Sequence, residues 1–442
     1  MKVMKFGGTS VGSPERMQHV KQLITDGEQN LVVLSAVSGT TNTLVQIAYA
    51  YQTQQADFAK RLIDELYEKY QQFITDLFTA ETAIQKAKQL IEERFNELKE
   101  AATTGYSSRL EKIILAQGEL ISTHFMTYYL EENEVDVVLL PALDFMRTLN
   151  GEPDLDFIEK SLKGKLAAYT SNKLFITQGY ICRNEHGEVD NLQRGGSDYT
   201  ASLVGAALNV SEIQIWTDID GMHNNDPRVV KDTFPVHELS FDEAAELAYF
   251  GAKILHPASI IPAQKHNIPV RLLNTMKPEA KGTVITSKFS GSRIKAIAAK
   301  DGIIAIKIRS SRMLMAYGFL RKVFEVFEKY KTPIDMITTS EVAVSLTIDH
   351  PYYLQDILRE LKEYGHVEVD RNQTIISIVG LLGSEESGIA SRIFNALADV
   401  PIRMISSGGS RHNVSILVKE ELKEKALHAL NEGLFEKHVA VV

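Results

Sequence analysis

Lys5-Phe6-Gly7-Gly8-Thr9-Ser10 follows a short apolar run at 2–6 and precedes Ser13-Pro14, a serine N-cap with proline at the first helical position. Two glycines after a strand let backbone N–H groups approach a phosphate, and Lys5 adds a point charge for a transferring group. The spacing is not that of a Gly-x-x-x-x-Gly-Lys loop, and a glycine pair here also serves as a plain tight turn. Outward from this segment, apolar runs recur at 31–35, 136–140, 174–178 and 212–217, each separated from the next by a helix-like stretch. That alternation predicts a largely parallel sheet covered on both faces.

Three further polar clusters fall where such a sheet would bind ligands, at the carboxyl ends of its strands. Ser35-Ala36-Val37-Ser38-Gly39-Thr40-Thr41-Asn42 offers hydroxyls and amides to a carboxylate or phosphate, or simply caps a helix. Arg194-Gly195-Gly196-Ser197-Asp198 brings a guanidinium, able to grip a carboxylate with two bonds, to a helix start. Asp198 also reads as an ordinary N-terminal helix carboxylate. The strand 213–216 runs into Thr217-Asp218-Ile219-Asp220-Gly221 and then Asp226-Pro227-Arg228, a loop able to wrap a nucleotide. Lys253 could add charge there or be a solvated helix-end lysine. Glu119, in an apolar helical stretch, suits either an ammonium group or solvent.

The 442 residues suggest two or three domains. A net charge of −9, spread along the chain, argues against sequence-independent nucleic-acid binding. Cys182 is the only cysteine, so no intramolecular disulfide forms. The N-terminus lacks an apolar stretch suited to a signal peptide, and no run reaches the ~20 apolar residues of a membrane span. A cytoplasmic protein without a membrane partner is expected.

Residues 55–100 read as one or two amphipathic helices, an insertion or lid-side element. Ser240 with Glu243 predicts a capping box opening a helix through Leu255, with Pro257 just beyond. From about 290 a pattern appears twice. A helix from Gly318, then Ile334-Asp335-Met336-Ile337, then a strand from Val342 to Ile348, is repeated as a helix from Gly388, Ile402-Arg403-Met404-Ile405 and a strand from Val414 to Val418. Further helices follow near 353–363 and 420–432. Two ferredoxin-like units are the economical reading, an appended sensor.

Lys5-Phe6-Gly7-Gly8-Thr9-Ser10-Val11 resembles the N-terminal signature of the aspartokinases, members of the amino-acid kinase superfamily. So do Gly195-Gly196-Ser197-Asp198-Tyr199-Thr200, Trp216-Thr217-Asp218 with Asp226-Pro227-Arg228, and Phe250-Gly251-Ala252-Lys253 with His256-Pro257. The resemblance implies a three-layer α/β/α, carbamate kinase-like catalytic domain over 1–290. A regulatory region of two ACT domains would follow over 291–442. The first unit would span about 311–375, and the second about 296–310 with 376–442. It implies ATP-dependent phosphorylation of the L-aspartate β-carboxylate, the first step toward lysine, threonine and methionine. By that analogy Lys5 and Asp198 are catalytic, and Lys5 with Gly7 and Gly8 contacts phosphate. Ser35, Thr41, Glu119, Arg194 and Ser197 bind aspartate, while Thr217, Asp218, Asp226, Arg228 and Lys253 bind the nucleotide. His223 stands where relatives often carry a tyrosine. Mg²⁺ would be held largely by nucleotide phosphates, with no protein ligand assigned.

The C-terminal part is most similar to the lysine-inhibited, monofunctional branch, through Met313, Gly318, Phe319, Leu320, Asp335, Thr338, Thr339, Ser340, Glu341 and Val342. The resemblance implies a lysine effector there, at an ACT interface of a homodimer or homotetramer. Ala316 and Tyr317 replace a serine and arginine of relatives. No second Rossmann domain follows, so a fused homoserine dehydrogenase is not expected. The rivals are another amino-acid kinase, or a non-catalytic amino-acid sensor of the same fold.

Overall fold

Short apolar runs with enriched Val, Ile and Leu become strands wherever both faces can be covered. The five expected strands form as Lys2–Phe6, Asn30–Leu34, Val137–Leu139, Leu174–Gln178 and Ile213–Thr217. The computed structural model describes residues 1–100, 106–192, 195–251, 255–288, 293–310, 317–382 and 387–435. Three strands that the sequence pattern does not reveal, Val270–Asn274, Thr283–Thr286 and Glu238–Ser240, complete an eight-stranded sheet. Across it the order is Glu238–Ser240, Thr283–Thr286, Val270–Asn274, Ile213–Thr217, Lys2–Phe6, Asn30–Leu34, Leu174–Gln178, Val137–Leu139. Only the Val270–Asn274 and Thr283–Thr286 pair is antiparallel. Asn30–Leu34 and Leu174–Gln178 are buried at every position, as central strands of a doubly covered sheet must be.

Ser13 caps the helix Pro14–Ile24 as its sequence predicts, its hydroxyl accepting from the Arg16 N–H at 3.4 Å. Residues 55–100 form two helices, Ala56–Leu77 and Glu81–Glu100, and the first bonds to the loop after Asn30–Leu34, Lys69 donating to the Ser38 carbonyl at 2.9 Å. Their apolar stripes, with Ile63, Tyr70, Phe73, Ile91 and Phe95, join the main core. Phe125 of the long helix Ser108–Glu132 is the hub, with the rings of Tyr70, Phe73 and Phe78 at 5.8, 6.0 and 5.7 Å from its own. The helix expected to run to Leu255 ends earlier, as Phe241–Tyr249. Gly251 explains the stop: its φ is +138°, and a Cβ there would lie 2.2 Å from the Ala299 carbonyl oxygen.

Contacts divide the chain into two units. The first holds residues 1–222, 237–241 and 254–289; the second holds 223–236, 242–253 and 290–442. A single boundary near 290 therefore misses two segments of the second unit. Asn225 donates to the Leu427 carbonyl at 3.1 Å, and Ile297 donates to the Asn224 carbonyl at 2.8 Å. Val230 sits in the apolar cluster of Ile376, Ile393 and Ile416.

The second unit carries a six-stranded antiparallel sheet. Two long strands, Ile294–Arg309 and His366–Gly380, lie side by side at its centre. Ile304–Arg309 also pairs with Ala343–Ile348, while Gln373–Val379 pairs with Asn413–Lys419. Each long strand thus serves two repeats with separate apolar cores, one around Val323, Phe327, Leu346 and Ile357, the other around Ile376, Ile393 and Ile416. Helices Phe319–Lys329 and Leu354–Leu361 cover the first, Ile389–Ala396 and Lys423–Leu434 the second. Among the described residues no helix is long and apolar enough to cross a membrane.

Removing the Phe125 ring would leave an aromatic-sized cavity among Tyr70, Phe73 and Phe78. Phe125→Ala is expected to cost about 3–5 kcal/mol, read as an earlier urea midpoint of the first unit by fluorescence and circular dichroism.

Candidate active site

Four adjacent parallel strands end at one level: Trp216 is paired with Phe6, Phe6 with Leu34, and Leu34 with Gln178. The loops that leave them, beginning at Asp218, Gly7, Ser35 and Gly179, therefore gather along one edge, the ligand-binding edge of open α/β sheets. Lys5 is the next-to-last residue of its strand. Its ammonium lies 2.6 Å from Asp198 Oδ1, and both side chains are largely buried, 12% and 13% exposed.

Asp198 reaches Lys5 because the helix Gly196–Leu208 starts tight against the end of the neighbouring strand. A Cβ on Gly196 would come within 2.4 Å of the Tyr180 ring, and one on Gly179 within 2.5 Å of Ser197 Oγ. Only glycine allows that approach. Tyr180 itself holds φ at +68°, a conformation costly for an aromatic residue. Its N–H donates to Thr200 Oγ1 at 3.0 Å, and burial, then the nearby Glu119 charge, push its hydroxyl up to about 12.

In the glycine loop the Gly7 N–H donates to the Trp216 carbonyl at 3.2 Å. Of the two amides expected to face phosphate, that of Gly7 is thus engaged at the strand's end. Gly8 supplies closeness instead, since a Cβ there would lie 2.9 Å from the Ala36 carbonyl oxygen. Ser10 Oγ and Thr275 Oγ1, 2.6 Å apart, fasten the loop to the chain after Val270–Asn274.

Glu119 is 3% exposed. Gly118 permits this, because a Cβ there would meet Ala36 Cβ at 2.6 Å, so the helix Ser108–Glu132 lies flush against the Ser35–Ala36 turn. The Ala36 N–H donates to Glu119 Oε1 at 3.2 Å, and Ser122 Oγ donates to the Ser35 carbonyl at 2.8 Å. Gln178 and Thr123 brace the same helix, the amide donating to Thr123 Oγ1 at 2.8 Å. Glu119 Oε2 is buried with no hydrogen-bond partner. Burial pushes this carboxyl up to about 8, against the pull of the Ala36 N–H. Burial thus favours the neutral acid, and an ammonium arriving at Oε2 would supply the missing partner and draw the group to its charged form.

Thr41, the second residue of helix Thr40–Gln52, is exposed, and Ser197 is half-buried at the start of its helix. Thr217 ends its strand with its hydroxyl donating to Asp218 Oδ1 at 3.1 Å. Asp226 and Arg228 belong to the second unit and pair with each other through two bonds, 2.9 and 2.7 Å; the Arg228 hydrogen bonds draw the Asp226 carboxyl down. His223 Nδ1 lies 3.0 Å from Thr233 Oγ1. Arg194, Lys253 and Met313 lie outside the described residues. Among the effector residues, Gly318 precedes helix Phe319–Lys329 at φ +80°, Thr339 ends strand Ile337–Thr339, and Ser340, Glu341, Leu320 and Val342 are exposed. Sequence reasoning missed Tyr180, Ser122, Thr275 and Gly179; of these only Gly179, a glycine just past an apolar run, carried a signal.

The profile of the amino acid kinase family matches residues 1–274, and that of the ACT domain matches residues 376–434. Lysine-sensitive aspartokinase 3 of Escherichia coli (strain K12) is 34% identical over 448 residues, covering 98% of this chain and 99% of its own. The crystal structure of E. coli aspartokinase III in complex with aspartate and ADP, an R-state, is 33% identical with a TM-score of 0.81, covering 99% of this chain and 100% of that one. The same coverage holds for the complex with lysine and aspartate, a T-state, at 33% identity and a TM-score of 0.79.

Burying Glu119 has a thermodynamic signature. Its folded carboxyl sits at about 8 and its ordinary value is 4.5, so between those values the folded state binds the extra proton and stability falls as pH rises. Glu119→Gln removes that penalty. The variant is expected to match the parent in heat resistance near pH 4.5 and to exceed it progressively up to pH 8, measured by scanning calorimetry without substrate.

Proposed function

The chain belongs to the aspartokinase family, and we propose that Lys5 and Asp198 stand at the reacting centre of its transfer of the ATP γ-phosphoryl group to the L-aspartate β-carboxylate. The observation that carries this reading is the largely buried Lys5–Asp198 pair, 2.6 Å apart at the level ends of four parallel strands. In the reaction a β-carboxylate oxygen forms a bond to Pγ while the bridging bond to the ADP oxygen breaks. The nucleophile is already ionised, so no general base is needed. Catalysis rests on alignment and on neutralising charge at the transferring group. Lys5 supplies that charge, and Asp198 keeps its ammonium aimed.

Glu119 takes the substrate ammonium through its unpartnered Oε2. Ser35, Thr41 and Ser197 complete the aspartate side, with Arg194 gripping a carboxylate. Thr217 and Asp218, with Asp226, Arg228 and Lys253, serve the nucleotide. Mg²⁺ would enter with ATP, held largely through the nucleotide phosphates. When bound, it supplies charge neutralisation on the phosphates. L-Lysine is the effector this reading assigns to the first regulatory repeat, through Asp335 and Glu341, in a homodimer or homotetramer joined by ACT domains. Such coupling is typically about 1–3 kcal/mol between sites.

A hydroxamate assay for acyl phosphate with MgATP and L-aspartate tests the assignment. Lys5→Ala is expected to lose about 10²–10³ in kcat with a modest change in aspartate KM, as for removal of one charge-stabilising donor. Turnover equal to the parent would sink the role given to Lys5. Glu119→Gln should raise KM for aspartate and leave the KM for ATP unchanged. Added L-lysine should lower product formation while L-threonine leaves it unchanged; indifference to lysine would retain the kinase and remove this effector.

A further inference from the structure

The first regulatory repeat contains a buried charge cluster that the catalytic reading does not use. Asp335, whose side chain is 2% exposed, precedes strand Ile337–Thr339. The Lys300 ammonium, from strand Ile294–Arg309, lies 2.7 Å from Asp335 Oδ1 and 2.8 Å from Asp349 Oδ2. Tyr249, at the end of helix Phe241–Tyr249 in the same unit, donates its hydroxyl to Asp335 Oδ1 at 3.0 Å, and its ring centroid lies 4.6 Å from the Lys300 nitrogen. His350 faces Asp349 at 3.6 Å. Two carboxylates therefore share one ammonium, and both donors to Asp335 converge on the same oxygen. Asp335 Oδ2 is buried and has no hydrogen-bond partner. A buried acceptor without a donor is costly unless a donor arrives.

The second repeat argues that this polarity is not demanded by the fold. Asp335 N–H donates to the Thr347 carbonyl at 3.0 Å, and at the matching place Arg403 N–H donates to the Leu417 carbonyl at 2.7 Å. Arg403 thus replaces Asp335, and two residues past Leu417 stands Lys419, where the first repeat has Asp349. The Arg403 partner is a carboxylate, Asp370, 2.7 Å away and three residues before Gln373, just as Lys300 lies three before Ile303. The three matching positions carry opposite charges in the two repeats. In the first repeat two carboxylates share the one Lys300 ammonium, whereas in the second Arg403 pairs with Asp370 and Lys419 with Glu421 at 3.5 Å.

We propose that Lys300 is the positioning residue of the effector site: it holds the Asp335 carboxylate by Oδ1 and leaves Oδ2 for the ammonium of an incoming amino acid. This rests on the effector reading above. Without Lys300, burial and the Asp349 charge would drive Asp335 toward its neutral form, which accepts an ammonium poorly. Lys300 is thereby a helper of the ligand and not its rival, although both carry the same charge.

Isothermal titration of L-lysine into the full chain at pH 6.5 and 8.5 tests this, comparing the parent with Lys300→Met and Lys300→Arg. Kinase activity without lysine certifies folding. Lys300→Met is expected to weaken binding by about tenfold or more, with the greater loss at pH 6.5, since the neutral form of an unassisted Asp335 gains population as pH falls. Lys300→Arg should restore most of the affinity. If Lys300→Met does not fold, Lys300→Met with Asp349→Asn rebalances the charge and carries the same expectation. Lysine binding as tight as, or tighter than, that of the parent would overturn the proposal, as would a loss equal at both pH values. A parent that binds no lysine at either pH overturns the effector reading itself, an outcome separate from any behaviour of the variants.

Discussion

The level ends of four parallel strands are the constraint on which the site depends. Phe6 is in register with Trp216 on one side and Leu34 on the other, and Leu34 with Gln178, so the chain turns at one height four times. Side chains that leave a strand end at a common level can converge without long loops, which is where open α/β sheets place their ligands. Glycines then set the spacing between these turns and the helices that follow. Gly196 and Gly179 bring Asp198 to Lys5, and Gly118 brings Glu119 beneath Ala36. A methyl group at any of these would push apart elements whose separation defines the site.

Much of this was legible in the sequence. Lys5 and Asp198 announced themselves because charged residues stood beside glycine pairs next to apolar runs. Glu119 was visible as one carboxylate in an apolar helical stretch, but its burial was not, since that depends on the flush packing at Gly118. Tyr180 left no trace, as an aromatic residue after a strand is unremarkable until its positive φ is seen. Val270–Asn274 and Thr283–Thr286 escaped for another reason: Pro269 and the Gly282 turn break up their apolar pattern. Lys300 could not have been found by motif, because its partners Asp335 and Asp349 lie far along the chain and meet it only through sheet pairing.

Buried charge recurs in both units with different purposes. At Glu119 a carboxyl held up near 8 trades folded stability for a waiting acceptor, a cost that functional sites commonly carry. At Asp335 the neighbouring lysine offsets part of the same penalty. Removing Asp335 alone would leave the Lys300 ammonium and the Tyr249 hydroxyl each short of a partner, so this charge is costly to keep and costly to lose.

The shared long strands bear on how the chain is made. Ala299 pairs with Ile376, and between them in sequence lies nearly all of the first repeat. During synthesis the segment 294–300 emerges early and must wait seconds for its partner, exposing Ile294 and Ile297 meanwhile. The second repeat is therefore a late, non-local assembly whose closure rate is set by chain topology more than by its own core. A ribosome stalled before residue 373 would leave half a sheet edge open to other nascent chains.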